Sequence, residues 1–296
     1  MSEFNFTLES GQSLKLPTSG KYCDKDIVIT GDDTLDKLLA NEGTVIKSNA
    51  KKLGAYVCYN NKAVVDLILP EAESIEQHAF YDSTALKTVD APKATYIYKY
   101  AFYSCSSLEN FNAPNVTRIE ESAFYSCSLL ENFNSPNITG VDKYGFYRCN
   151  KLKEMNAPLL STLGIFAFQG CVNLTELNFP ILNTVPNNCF NNCSRLKTVN
   201  VPSATIIGQS AFVSCSTLEY AILHSVTSIG ASAFGKCTSL QYIDFSGCTA
   251  VPILENVSAF NNVPTTCQFR VPASLLEEWK AAENWSTFAD QIVAAE

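Results

Sequence analysis

The sequence predicts a repeat solenoid of the α/β type, with about nine 22-residue coils in strict register and one irregular coil. The first observation is a phenylalanine that recurs at a fixed interval. The second is a leucine six residues after each of these phenylalanines, and the third is a proline twelve residues after most of them. The recurring phenylalanines are Phe80, Phe102, Phe124, Phe146, Phe168, Phe190, Phe212 and Phe234. A constant period of this length indicates that each repeat forms one coil and that stacked coils share a core.

The composition favours a folded, acidic protein. Of the 296 residues, 46% are hydrophobic and 17% are charged, and the formal net charge is −8. Because the sequence has no basic stripe that could release counterions from phosphates, we expect no nucleic-acid partner. No stretch reaches the ~18 consecutive apolar residues that a transmembrane helix needs, so we expect no membrane insertion.

Residues 1–43 predict a small β-module and a helix that covers the end of the solenoid. Strands are expected where residues alternate in polarity or are rich in β-branched side chains, at residues 4–8, 13–16 and 26–30. Leu35, Leu38 and Leu39 follow with helical spacing, and the helix is expected to end near Gly43.

Residues 44–262 are predicted to be the repeats. Equivalent positions in stacked coils lie about 5 Å apart, so a large apolar residue contacts its own copies in the neighbouring coils. The segment Ala-Phe-x-x-Cys is expected to form one turn of α- or 3₁₀-helix with its apolar side inward. The segment Leu-x-x-Val-x-x-Pro is expected to form a short strand that ends at the proline. A degenerate coil precedes Phe80, and the segment before Phe260 carries an insertion.

Residues 263–296 predict a C-terminal cap that contains both tryptophans of the chain, Trp279 and Trp285. Residues 269–271 are expected to form a last edge strand. A helix is expected where apolar residues have helical spacing, namely at Leu275, Leu276, Trp279 and Ala282.

These residues resemble the BspA-type leucine-rich repeat family, whose repeat reads approximately Leu-x-x-Ile-x-x-Pro and then Ile-Gly-x-x-Ala-Phe-x-x-Cys-x-x-Leu. Residues 108–127 match this pattern closely, and the resemblance extends over about residues 44–260. It implies a right-handed curved solenoid with a parallel β-sheet on its concave face. It also implies a bacterial surface or secreted protein that binds host proteins, other cells or matrix, although some relatives are phage or prophage proteins.

The sequence leaves two alternatives for the location of the protein in or outside the cell. The resemblance implies the cell surface or secretion, whereas the N-terminus lacks the basic and apolar regions of a signal peptide and the chain shows no wall anchor. A cytoplasmic or phage-associated location is therefore the alternative. We expect a monomer that needs no cofactor.

Seven cysteines occupy one column, from Cys105 to Cys237, three residues after the recurring phenylalanine. Their spacing differs from that of a zinc knuckle, and thiols in one column would stand in line rather than converge on an ion. Cysteine is also small and readily buried, and Ser83 replaces it in one repeat. We interpret the column as structural thiols and expect no metal. A cap disulfide is the alternative for the cysteines outside it, Cys23, Cys58, Cys248 and Cys267.

An asparagine column on the strands is the first candidate binding surface. Asn112, Asn134 and Asn156 belong to it. They would form either a purely structural ladder of hydrogen-bonded amides or a polar floor for a ligand.

A break in this column is the second candidate. Ile222 replaces the asparagine, and His224 replaces the proline that follows. Tyr220 and Tyr242 adjoin the break and are candidate aromatic anchors for a partner. Imperfect closure of the coils toward the cap is the competing explanation.

A tyrosine column is the third candidate. Tyr81, Tyr103, Tyr125 and Tyr147 directly follow the recurring phenylalanine. They would either bind sugars or protein, or pack half-buried between coils.

The motifs of common enzyme classes are missing from the sequence. His78 and His224 are its two histidines, and neither a nucleophile elbow, a phosphate-binding glycine loop nor His-Glu-x-x-His occurs. We therefore expect a non-catalytic binding or adhesion solenoid that recognises a protein or glycan partner. The alternative is a structural or receptor-binding component of a phage or prophage particle.

Overall fold

The computed structural model describes residues 51–295 and three earlier strands. These strands are β1 (Glu3–Thr7), β2 (Ser13–Pro17) and β3 (Thr44–Lys47). β1 and β2 pair antiparallel, which confirms the first two strands predicted from alternation. The predicted strand at residues 26–30 and the predicted helix from Leu35 to Gly43 lie outside the described residues.

The chain divides into two compact units, Met1–Ile138 and Thr139–Glu296. Both are parallel-strand solenoids of 22-residue coils, and the coils number about 11 in all. Most coils contribute one longer strand and one two-residue strand, and equivalent strands of successive coils pair in parallel. The predicted parallel-sheet solenoid is therefore confirmed.

The first unit contains two parallel sheets. Its remaining strands are β4 (Lys52–Leu53), β5 (Val64–Ile68), β6 (Ser74–Ile75), β7 (Thr88–Asp90), β8 (Tyr96–Ile97), β9 (Asn110–Asn112), β10 (Arg118–Ile119) and β11 (Asn132–Asn134). The longer strands pair in the order β3-β5-β7-β9-β11, and the short strands pair in the order β4-β6-β8-β10.

The second unit repeats this arrangement. Its strands are β12 (Gly140–Val141), β13 (Thr162–Leu163), β14 (Glu176–Asn178), β15 (Thr184–Val185), β16 (Thr198–Asn200), β17 (Ile206–Ile207), β18 (Tyr220–Ile222), β19 (Ser228–Ile229), β20 (Tyr242–Asp244), β21 (Ile253–Leu254), β22 (Gln268–Val271) and β23 (Ile292–Ala294). The longer strands pair in the order β14-β16-β18-β20-β22-β23, and the short ones pair as β12-β13 and β15-β17-β19-β21. Residues 154–156 belong to the strand column by sequence but form no strand, although they are described.

The C-terminal segment contains the α-helix α1 (Leu276–Ala281) and three 3₁₀ helices, at Val257–Phe260, Ala273–Leu275 and Trp285–Gln291. The predicted helix is thus confirmed. The strand predicted at residues 269–271 is present as β22, but the prediction that it is the last edge strand is wrong, because β23 pairs with it and takes the edge of the sheet. Trp279 and Trp285 are both fully buried. The Phe260 ring stacks on Phe234 with 5.8 Å between centroids, so the irregular coil keeps its core position despite the insertion.

The recurring phenylalanines form a buried stack within each unit. In the first unit, the ring centroid of Phe102 lies 5.4 Å from that of Phe80 and 5.2 Å from that of Phe124. In the second unit, Phe212 lies 5.5 Å from Phe190 and 5.2 Å from Phe234. All of these side chains are at most 1% exposed. The apolar columns of the sequence therefore do pack on their own copies.

The segment Ala-Phe-x-x-Cys differs from its prediction, because within the described residues it forms tight turns rather than a turn of helix. Tyr100 and Ser104, which flank Phe102, have φ of 58° and 56°, a left-handed conformation that interrupts a helix. The N–H groups of Phe102 and Ser104 donate instead to carbonyl oxygens of the next coil, at 2.8 and 2.7 Å. Hydrogen bonds between coils therefore alternate with local bonds inside the turns, where the N–H groups of Tyr103 and Cys105 donate to Tyr100 and Phe102 at 3.2 Å.

Candidate functional site

The main candidate site is a cluster of side chains in the second unit, here called the C-terminal patch. It lies on the outward-facing side of the sheet that the longer strands form. Its members are Tyr220, Ile222, His224, Tyr242, Asp244, Gln268 and Arg270. Strand pairing aligns the first position of β18, β20 and β22 (Tyr220, Tyr242 and Gln268) and likewise the third (Ile222, Asp244 and Arg270). The residues between them along each strand are buried, so both rows face outward.

Stacking holds the aromatic part of the patch together. The rings of Tyr220 and Tyr242 are 5.4 Å apart and inclined by only 5°. The guanidinium of Arg270 lies 3.9 Å from the centroid of Tyr242, and its Nε donates to Oε1 of Gln268 at 3.3 Å. Because β20 lies between β18 and β22, the Tyr242 ring is covered by Tyr220 on one side and by Arg270 on the other.

Asp244, on the central strand of the patch, is held in its ionised form by its hydrogen-bond partners. Its Oδ2 lies 3.1 Å from Nε2 of His224, and its Oδ1 accepts a hydrogen bond of 2.8 Å from the backbone N–H of Ser246. Burial raises the pKa of Asp244, but the hydrogen bonds from Ser246 and the interaction with His224 lower that pKa more strongly, so it falls below its ordinary value. Among the described residues, the His224 side chain is hydrogen-bonded to Asp244.

The asparagine column does form a ladder. In the first unit, Nδ2 of Asn112 donates to Asp90 at 2.7 Å, and Nδ2 of Asn134 donates to Asn112 at 2.9 Å. In the second unit, Asn200 donates to Asn178 at 2.8 Å. These bonds support the structural interpretation of the column, and its use as a ligand floor stays a prediction. Asn156 lies where the strand is absent from the described segment 154–156.

The tyrosine column of the first unit forms a second ladder, here called the tyrosine ladder: Tyr59, Tyr81, Tyr103 and Tyr125. Successive centroids are 5.0, 4.6 and 4.6 Å apart, with angles of at most 10° between ring planes. A parallel row lies beside it, formed by Tyr56, His78 and Tyr100 with centroid separations of 4.8 and 4.9 Å. The sequence did not lead to a prediction for Tyr59, Tyr56 or His78. The repeat could have revealed them, because Tyr59 stands 22 residues before Tyr81, and Tyr56, His78 and Tyr100 are also 22 residues apart.

Tyr147, the last of the predicted tyrosines, belongs to the second unit. Its ring meets Tyr144 edge to face at 5.5 Å, and the guanidinium of Arg148 lies 5.3 Å from its centroid. Tyr144 in turn stacks on Phe166 at 5.0 Å.

Stacking determines which parts of these tyrosine rings a partner can contact. Tyr81 and Tyr103 each have a neighbouring ring on both faces, and both faces of Tyr242 are also covered. Covered rings present edges and hydroxyl groups rather than flat faces. Such a surface suits polar and edge contacts with a protein better than stacking against a sugar ring.

The cysteine column is explained by hydrogen bonding. The thiols of Cys105 and Cys127 each lie 3.0 Å from the carbonyl oxygen of a phenylalanine in the preceding coil, and Ser83 donates in the same way to Cys58 at 2.7 Å. All the cysteines that the structure describes are buried, and Cys248 and Cys267 near the C-terminal cap carry free thiols. Burial raises the pKa of Cys215 to about 12. Cys23, one of the cysteines considered for a cap disulfide, lies outside the described residues.

Substitutions of Cys127 separate hydrogen bonding from packing. Cys127→Ala removes the donor to Phe102 and leaves a small cavity, so we expect a loss of about 1–2 kcal/mol in the free energy of unfolding. Cys127→Ser keeps a donor, as Ser83 does, and is expected to cost less. Urea denaturation of both variants checks this prediction. A larger loss for serine than for alanine would contradict it.

Two negative findings apply to the described part of the chain. Over these residues no group of three or more His, Cys, Asp or Glu side chains is placed to hold a metal ion. Within the same residues, no helix has both the length and the apolar character needed to cross a bilayer.

Stacked coils with parallel strands and a leucine- and phenylalanine-rich core define a leucine-rich-repeat solenoid. The chain belongs to the family of the BspA type leucine rich repeat region, whose sequence model matches residues 51–163 and 161–277 in 6 copies. Proteins of this family are generally binding scaffolds.

Three solved bacterial structures are similar to the chain. The leucine-rich repeat protein TpLRR of T. pallidum is 20% identical, with a TM-score of 0.48, over 52% of this chain and 78% of its own. A leucine-rich cell surface protein of Faecalibacterium prausnitzii is 16% identical, with a TM-score of 0.45, over 91% and 92%. A leucine-rich repeat protein of Bacteroides ovatus is 19% identical, with a TM-score of 0.41, over 99% and 98%. No curated protein matches the chain.

Proposed function

We propose that this chain is a non-catalytic binding solenoid that recognises a protein partner through the C-terminal patch. The observation that carries the proposal is the stack of Tyr220, Tyr242 and Arg270 on the outer face of the sheet. Tyrosine and arginine are the residue types that most often dominate the energy of protein interfaces. Their mutual stacking holds them in place before a partner arrives, which lowers the entropy cost of binding.

The surroundings of the stack support the same proposal. Ile222 is half-buried on β18, beside the paired Asp244 and His224, so an apolar centre is bordered by polar groups. This arrangement is typical of protein interfaces. A protein is favoured over a glycan because the Tyr242 ring has no uncovered face for a sugar to stack on.

The test is a pull-down from host-cell extract with the immobilised chain, combined with a glycan array. The double variant Tyr220→Ala/Tyr242→Ala is expected to weaken capture of a specific protein by at least about tenfold. The matched control is Tyr103→Ala/Tyr125→Ala, which removes two stacked tyrosines from the tyrosine ladder of the first unit. We expect the control to bind as the unmodified chain does.

Two results would reject the proposal. Loss of capture in the control but not in the test variant would place the site on the tyrosine ladder. Selective glycan binding that disappears in the Tyr220→Ala/Tyr242→Ala variant would assign the C-terminal patch to a sugar.

A further inference from the structure

We infer that Arg270 binds a side-chain carboxylate of the partner protein, so that the C-terminal patch selects a protein segment containing Asp or Glu. The inference rests on the proposed function and narrows it from any protein to one with an acidic residue at the contact. It is carried by the geometry of Arg270 and by the arrangement of charges around it.

The guanidinium of Arg270 has one free edge. Nε of Arg270 is occupied by Gln268, and one face of the group lies on Tyr242. Among the residues that the structure describes, its terminal amino groups have neither an ion pair nor a hydrogen-bond partner. A planar guanidinium with this edge free can donate two parallel hydrogen bonds to the two oxygens of a carboxylate.

The Arg270 side chain is preorganised for binding. An exposed arginine normally loses much rotamer freedom when it pairs with an anion. Arg270 is only partly exposed, and Tyr242 and Gln268 already restrain its side chain. A partner carboxylate therefore meets a group whose orientation is largely set, and this favours a specific interaction over a weak surface ion pair.

The carboxylate that faces Arg270 across the sheet is engaged elsewhere. Asp244 stands directly opposite Arg270 in the pairing of β20 with β22 and would be its natural partner. Its two oxygens are instead directed to His224 and to the N–H of Ser246. The charge of Arg270 consequently stays available to an external anion.

Charges farther along the same face do not oppose this assignment. Glu176 on β14 is four strand steps from β22, or roughly 19 Å at the usual strand spacing. This distance is more than twice the Debye length of about 8 Å at physiological salt, so its repulsion is largely screened.

A carboxylate also fits better than a phosphate. Phosphopeptides are usually recognised by clusters of arginines, because a phosphate carries nearly two negative charges. Arg270 is the one basic residue in the two outward-facing rows from β16 to β22, and Asp244 stands beside it. A single cation next to a carboxylate matches one negative charge rather than two.

The experiment uses an array of synthetic peptides arranged in pairs. Each acidic peptide stands beside a copy in which Asp is replaced by Asn and Glu by Gln. The unmodified chain is expected to bind acidic members roughly tenfold more strongly than their amide copies, in keeping with a charge-assisted hydrogen-bonded pair. Arg270→Gln should abolish this preference, and Arg270→Lys, which keeps the charge but loses the fork, should reduce it.

The control is Arg195→Gln, which removes the same charge from an exposed position elsewhere in the second unit and should leave the preference intact. Circular dichroism of each variant verifies that it is folded. Equal binding of acidic and amide copies, persistence of the preference in Arg270→Gln, or no peptide binding at all would overturn the inference. The pull-down with Tyr220→Ala/Tyr242→Ala is independent of these outcomes, so failure of the carboxylate assignment can be told apart from failure of the proposed function.

Discussion

Replacing Phe102 with alanine is expected to lower the free energy of unfolding by about 3–5 kcal/mol. The side chain is fully buried and stacks between Phe80 and Phe124, while Phe111 meets its edge at 5.3 Å. Backbone hydrogen bonds from Phe102 and Ser104 to the next coil hold the coils at their spacing. The neighbouring rings therefore cannot close the space, and a cavity remains.

Urea denaturation measures this effect as a lower midpoint at an unchanged slope. The matched variant Phe102→Leu keeps most of the side-chain volume, so it is expected to lower the free energy of unfolding by less than about 1.5–2 kcal/mol. Similar small losses for alanine and leucine would show that the phenylalanine stack is not a tightly packed core.

Replacing Trp285 with alanine is expected to destabilise the C-terminal cap and to lower the free energy of unfolding by about 3–5 kcal/mol. Its indole is fully buried, and its centroid lies 5.7 Å from Phe260, 5.6 Å from Phe269 and 4.6 Å from Trp279. Its Nε1 also donates to the carbonyl oxygen of Pro252 at 2.8 Å. The variant loses both the packing and this hydrogen bond.

A comparison of the two tryptophans isolates the hydrogen bond. Nε1 of Trp279 is buried without a hydrogen-bond partner among the described residues, whereas Nε1 of Trp285 is bonded. Trp285→Phe therefore leaves the Pro252 carbonyl without this donor, and Trp279→Phe removes an unsatisfied one. We expect Trp279→Phe to be the milder change by about 1 kcal/mol in thermal unfolding followed by circular dichroism. Equal losses would contradict the different bonding of the two indoles.

The core could be predicted because its contacts repeat. Phe102 meets Phe80 and Phe124, which stand at the same position of the adjacent repeats, so reading one column of the sequence is enough to find them. The same reasoning led to buried structural thiols for Cys105 and Cys127. Their hydrogen bonds to phenylalanine carbonyls could not be predicted, since a main-chain acceptor is not indicated by any side-chain type in the sequence.

The turn around the recurring phenylalanine was mispredicted for a physical reason. Apolar residues at i, i+1 and i+4 face inward both in a helical turn and in the two successive turns observed. What separates the two conformations is the positive φ at positions such as Tyr100 and Ser104. Tyrosine rarely adopts this conformation, so the sequence at Tyr100 argued against the backbone that the stacked coils impose.

The patch shows where periodicity stops being informative. Tyr220 and Tyr242 stand 22 residues apart and were found from the break in the neighbouring columns. Arg270 was missed as a site residue because it pairs with Asp244 at an interval of 26, since the insertion before Phe260 shifts the count. The coil, its length and its core thus follow from sequence alone, because a residue in a stack meets its own copies. The tertiary structure alone determines which side chains meet beyond the insertion. Strands pair there according to hydrogen-bond geometry and no longer at intervals of 22 residues.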